Sequence, residues 1–109
     1  MAQTYINICS IYSEMNRHEI ALSYIKRAVD FLERDYDMRW KCGEFPGLIG
    51  NDKEKFKFIA VVTSGLHNAA VEYEFTGDYS NSLLYYNKSV KICKLHLGDS
   101  HPVTQNFTS

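Results

Sequence analysis

Proline is scarce in this 109-residue chain, with Pro46 and Pro102 its only two. Long stretches therefore run without the residue that most firmly breaks a helix. Cysteine is sparse as well. Cys9, Cys42 and Cys93 form an odd set with no C-x-x-C pair, which argues against a disulfide framework. No apolar run approaches the roughly 20 residues that cross a bilayer. The N-terminal Met1-Ala2-Gln3-Thr4 lacks the basic region and apolar stretch of a secretory leader. An excess of one charge is missing too: 12 Lys and Arg face 13 Asp and Glu, for a formal net charge of −1. Such a chain has no global field to draw in nucleic acid or an anionic membrane. The sequons at Asn87 and Asn106 matter only on the secretory route and are read as chance. These absences lead to the expectation of a soluble, cytoplasmic protein without membrane insertion. What is present, 45% hydrophobic and 23% charged residues with eight tyrosines, suits one globular unit.

The chain repeats itself at a spacing of 61 residues. That shift pairs Asn7 with Asn68, Tyr12 with Tyr73, Leu22 with Leu83, Tyr24 with Tyr85 and Val29 with Val90. Conservative pairs follow in the same register, among them Ala21 with Ser82, Arg27 with Lys88 and Ala28 with Ser89. Each copy reads as two helices. In the first, Tyr5, Ile8, Ile11, Tyr12 and Met15 recur at three- and four-residue steps, the spacing of one helix face. A break follows at Asn16-Arg17-His18, and then Ala21, Leu22, Ile25, Ala28, Val29 and Leu32 form a second apolar stripe. In the second copy Leu66, Ala69, Ala70 and Tyr73 mark the first helix. Gly77-Asp78 makes the turn, and Leu83, Tyr86, Val90, Ile92 and Cys93 mark the partner helix. Small residues at Cys9/Ala70, Ala21/Ser82 and Ala28/Ser89 let helices approach, and Tyr12, Tyr73 and Tyr86 are expected to fill the core beside them. Strands are disfavoured, with only Phe56 to Thr63 approaching a strand pattern.

This size pattern resembles the tetratricopeptide repeat, whose unit is 34 residues long. Its order of large, small, aromatic, small, large and small is met by Tyr5, Cys9, Tyr12, Ala21, Ile25 and Ala28. It is met again by Leu66, Ala70, Tyr73, Ser82, Tyr86 and Ser89, with Gly77 as the family's glycine. Departures are Asn16 in place of that glycine, two serines in place of alanine, and no proline closing either copy. The run Leu97-Gly98-Asp99-Ser100-His101-Pro102-Val103-Thr104 looks like the linker of the longer repeats of the kinesin light chain type. Gly98 suits a helix end, Ser100 a cap and Pro102 a first helical turn. The resemblance implies an all-α solenoid of antiparallel helix pairs: two repeats, a long insertion loop and the start of a third first-helix. The corresponding boundaries are 1–36 for one repeat and 37–53 for the insertion. Residues 54–97 form the second repeat with an extended first helix, and 98–109 the linker and the start of a further helix. Because repeats need stacked neighbours, the chain reads as a cut from a longer array or as one completed by a partner. Further repeats or self-association are both open.

The chemistry of catalysis is not spelled out. Cys93 and His96 stand three apart and His101 follows, with Cys42 a conceivable fourth ligand. Cys93, however, lies on an apolar stripe, so a core cysteine with surface histidines is favoured over a metal site. The glycines between Gly43 and Gly50 lack a phosphate-cradling arrangement. The reading is no enzyme, no cofactor, no metal and no small-molecule substrate. Lys88, Lys91 and Lys94 make a basic line on one helix, read as a solvated face. RNA binding is disfavoured by the neutral charge.

The resemblance places the first helices along a concave groove, where an asparagine at the position of Asn7 and Asn68 holds the backbone of an extended peptide. An amide both donates and accepts, so it satisfies a peptide unit whatever its side chain. The expected groove residues are Gln3, Ile6, Asn7, Ser10, Ser64, His67, Asn68 and Val71, with Ser13 and Glu74 flanking. Trp40 and Phe45 are the expected contacts of the insertion loop. A non-enzymatic module that binds a protein or peptide, inside a larger scaffold or adaptor, is the leading expectation. An architectural role in an assembly such as a cytoskeletal complex is the alternative, and an RNA-binding repeat a third.

Overall fold

A computed structural model describes residues 2–41 and 53–97, all but their turns helical. Helix α1 spans Ala2–Glu14, α2 spans His18–Lys41, α3 spans Lys53–Phe75 and α4 spans Tyr79–Leu97. No strand occurs among the described residues, and Phe56 to Thr63 lies within α3. The four form two hairpins, α1 with α2 and α3 with α4, joined by packing of α2 against α3.

Both hairpins turn in the same way. Asn16 and Gly77, 61 residues apart, have φ of 60° and 86°, the left-handed conformation that closes a helix. In the first turn the Asn16 N–H donates to the Ser13 carbonyl and the Arg17 N–H to Tyr12. In the second, Gly77 donates to Glu74 and Asp78 to Tyr73. Asparagine tolerates this conformation better than most side chains, which is why it stands where glycine is usual. Asp78 also caps α4, its carboxylate accepting from the Asn81 N–H at 3.3 Å.

Ile6, Cys9, Ala21, Ile25, Ala28, Val29, Leu32, Val62, Leu66, Ala69 and Tyr73 form the main core. Every small residue singled out by the repeat is buried. The serines that replace alanine gain a role: Ser82 donates to the Ala70 carbonyl at 2.8 Å and Ser89 to the Thr63 carbonyl at 3.1 Å. Each hydroxyl is thereby satisfied in the tight α3–α4 contact. A repeated pair of tyrosines lines the hairpins, Tyr12 stacked on Tyr24 at 5.7 Å and Tyr73 on Tyr85 at 5.4 Å.

The insertion is not simply a loop over 37–53. Helix α2 continues to Lys41 and α3 already begins at Lys53, so part of the extra sequence lengthens two adjacent helices. Trp40 thus belongs to α2. Residues 42–52, with Cys42 and Phe45, and residues 98–109, with the expected linker and further helix, lie outside the described residues. The lengthening supports a second cluster, in which Tyr36, Phe56, Phe58 and Ile92 surround Ile59. Its polar member corrects an expectation. His96 is fully buried rather than on the surface, its Nε2 2.6 Å from the Tyr36 hydroxyl. Cys93 is buried beside it in sequence as expected.

Several apolar stripes are only partly covered. Ile11 on α1, Met15 in the turn after it and Leu83 on α4 are more than half exposed. Tyr86 is half-buried instead of core, with its hydroxyl donating to Glu74 at 3.2 Å. Its repeat equivalent Ile25 is fully buried because α3 packs over α2 there.

Candidate functional site

The first helix of each hairpin, α1 and α3, flanks a cleft of about 230 Å³ lined by Cys9, Ser10, Ser13 and Glu14 from α1 and by Asn68, Val71 and Glu72 from α3. Residues at i, i+3 and i+4 share a helix face, so the same register that buries Cys9 and Ala70 turns Ser10, Ser13, Asn68 and Val71 toward the opening. Among the expected groove residues, Ser10, Asn68 and Val71 are brought together here. The Asn68 side chain makes no hydrogen bond within the described residues, leaving its amide available to a ligand. Ser10 donates to the Ile6 carbonyl at 3.2 Å, within its own helix.

The other expected residues are placed differently. Asn7 is exposed, its amide oxygen accepting from the Gln3 side chain at 3.1 Å, so the two in-register asparagines are not in equivalent surroundings. Ile6 is buried in the core, where its Cδ1 and that of Leu32 lie close to Gly65, and it offers no surface to a partner. Ser64 is exposed on α3. His67 is half-buried and meets Tyr86 edge-on at 5.2 Å. Burial holds its pKa below the ordinary 6.5.

Glu72 is the residue that sequence reasoning missed. It stands where the first copy has Ile11, a mismatch that carried the only available signal. Its side chain is 3% exposed, and one carboxylate oxygen lies 2.8 Å from Nδ1 of His18, which stacks flat on Phe75 with centroids 4.0 Å apart. The start of α2 is thereby tied to the end of α3. Desolvation, aided by the nearby Glu72 charge, pushes the Cys9 thiol up to about 12, so Cys9 is no nucleophile. No group of three or more His, Cys, Asp or Glu among the described residues is placed to hold a metal ion.

Two family profiles, each described as tetratricopeptide repeat, match the chain, one over residues 2–31 and the other over residues 62–103. Together they take in most of both hairpins, leaving the end of α2 and the start of α3 outside the matches. The chain is a tetratricopeptide repeat protein. Neither curated proteins nor solved structures give a significant match. Tetratricopeptide repeats generally serve protein–protein interaction and scaffolding and are typically non-catalytic. No helix among the described residues of this tetratricopeptide repeat protein is long and apolar enough to cross a membrane.

Proposed function

We propose that the cleft between α1 and α3 binds an extended segment of a partner protein, with Asn68 as its central polar contact. The observation that carries this reading is the position of an uncommitted amide inside a cleft otherwise lined by small hydroxyls, an aliphatic side chain and acidic groups. Such an amide satisfies both the N–H and the carbonyl of a peptide unit, while Val71 offers apolar contact. Because the cleft lies between packed helices, little ordering accompanies binding. Glu14 and Glu72 line the cleft with acid, which disfavours a carboxylate-terminated ligand. Gln3, Asn7 and Ser64 are exposed on the same two helices and extend the contact beyond the cleft.

The setting we propose is a cytoplasmic scaffold or adaptor. The kinesin-light-chain-like subtype is supported by the length of the second match, which runs on through Gly98 and Pro102 to Val103.

Asn68→Ala tests the reading. Partner capture should fall roughly tenfold or more, in line with losing hydrogen bonds of about 0.5–1.5 kcal/mol each at a buried contact, while helicity by circular dichroism is unchanged. Asn7→Ala, outside the cleft, should cost less. Full binding by Asn68→Ala would overturn the proposal.

A further inference from the structure

The opposite pair of helices, α2 and α4, encloses a larger groove of about 250 Å³ that shares no residue with the α1–α3 cleft. Its floor is apolar, formed by Val62 and Leu66 of α3 and Ile92 of α4. Its two rims carry opposite charge. Glu33 and Asp37 stand on α2, and Lys88 and Lys91 on α4. Glu33 and Lys88 already meet across the groove at 3.4 Å, which corrects the expectation that the lysine line is merely solvated. Asp37 and Lys91 are exposed and make no ion pair among the described residues. Leu95, one helical turn beyond Lys91 and therefore on the same face, is 41% exposed.

We infer that this groove is the interface between two copies of this chain, with α4 of each copy laid along the groove of the other. The argument is self-complementarity. An acidic rim facing a basic rim is the arrangement that a two-fold axis matches to itself, since the same contact is made twice. The face of α4 that presents Lys91 to the other copy's Asp37 also presents Leu95 to the other copy's apolar floor. The groove has room for an inserted Leu95 side chain: an apolar cavity of about 150 Å³ accepts a benzene ring, and this groove is larger. A net charge of −1 leaves almost no repulsion between copies. Asp37 lies in the part of α2 that outruns the expected repeat boundary, so the acidic rim depends on the lengthening of this chain's own helix.

Sedimentation equilibrium of the 109-residue chain over a range of concentrations tests the inference. The unmodified chain should populate a dimer as concentration rises. Asp37→Lys and Lys91→Asp each place two like-charge contacts in the interface and should each weaken dimerisation by roughly tenfold or more. Mixed in equal amounts, the two variants should regain it, because the mixed dimer restores both opposite-charge contacts. Both positions are exposed, and unchanged circular dichroism verifies that the variants fold. A chain that stays monomeric throughout overturns the inference. So does a dimer indifferent to either reversal, which points to another surface, or a mixture that fails to recover. Since Asn68 lies outside this groove, loss of dimerisation and loss of peptide capture are read independently.

Discussion

Cys9 and Glu72 illustrate how a single substitution between repeats changes local chemistry. The first copy has Ile11 where the second has Glu72, and the carboxylate is held by His18 at the edge of the cleft. Its charge and the burial of Cys9 keep that thiol protonated, up to about 12. Since the thiolate is the reactive form, Cys9 should resist iodoacetamide in the native protein at pH 8 and react only after unfolding. Mass spectrometry of its peptide measures this, and rapid native labelling would contradict the packing described. Cys93, fully buried in α4, should behave alike. His96 and Tyr36 supply a different residue-scale lesson. Each belongs to a different repeat, Tyr36 at the last position of the expected first repeat and His96 near the end of the second, and their side chains lie 2.6 Å apart. Nothing in the spacing around His96 announces this partner, 60 residues away.

At the scale of elements, the two hairpin turns are one backbone design written with different residues. Gly77 adopts φ of 86° without a Cβ, and Asn16 adopts 60° with one. Asn16→Gly should stabilise the protein by up to about 1 kcal/mol, and Gly77→Ala should destabilise it by about 1–2 kcal/mol, the cost of a left-handed conformation. A Cβ at Gly77 would meet nothing within 4 Å, so the penalty there is backbone alone. Urea denaturation of both variants measures the pair, and equal effects of the same sign would refute the assignment. The hairpins were legible in the sequence because 61-residue pairing and 3.6-residue periodicity both follow from helix packing. The insertion was less legible. Its glycines and proline mark a turn region, and the extended first helix of the second repeat agrees with expectation, but the last turns of α2 carry Asp37, Met38 and Arg39, polar enough to pass for loop. Their helicity comes from mutual support, including Arg39 over the Phe58 ring at 4.1 Å. For the cleft, the resemblance to tetratricopeptide repeats picked out Ser10, Asn68 and Val71. It included Ile6 because periodicity alone does not say which side of a helix a third helix will cover.

For the whole molecule, burial of His67 sets a direction for stability against pH. The folded chain holds this imidazole neutral below its ordinary value of 6.5, whereas the unfolded chain takes up a proton there. The unfolded state thus binds more protons in that window, and stability rises with pH. The contribution is intact above 6.5 and is lost progressively as pH falls from there through the depressed folded value. His67→Gln should flatten the fall in denaturation midpoint between pH 7 and pH 5. An unaltered slope would assign the acid sensitivity to other groups.

The shared overhang of α2 and α3 has a mechanical consequence. A helical solenoid flexes most easily where one repeat meets the next, because that joint is the boundary between packed units. Here the joint is splinted: Tyr36, Phe56, Phe58 and Ile59 extend the contact between the two helices beyond the main core, and His18 with Glu72 tethers its other end. With both ends of the joint fastened, the angle between the hairpins has little compliance. The aperture between α1 and α3 is therefore set by the fold itself, and under the proposed function it selects a partner segment by fit rather than by closing.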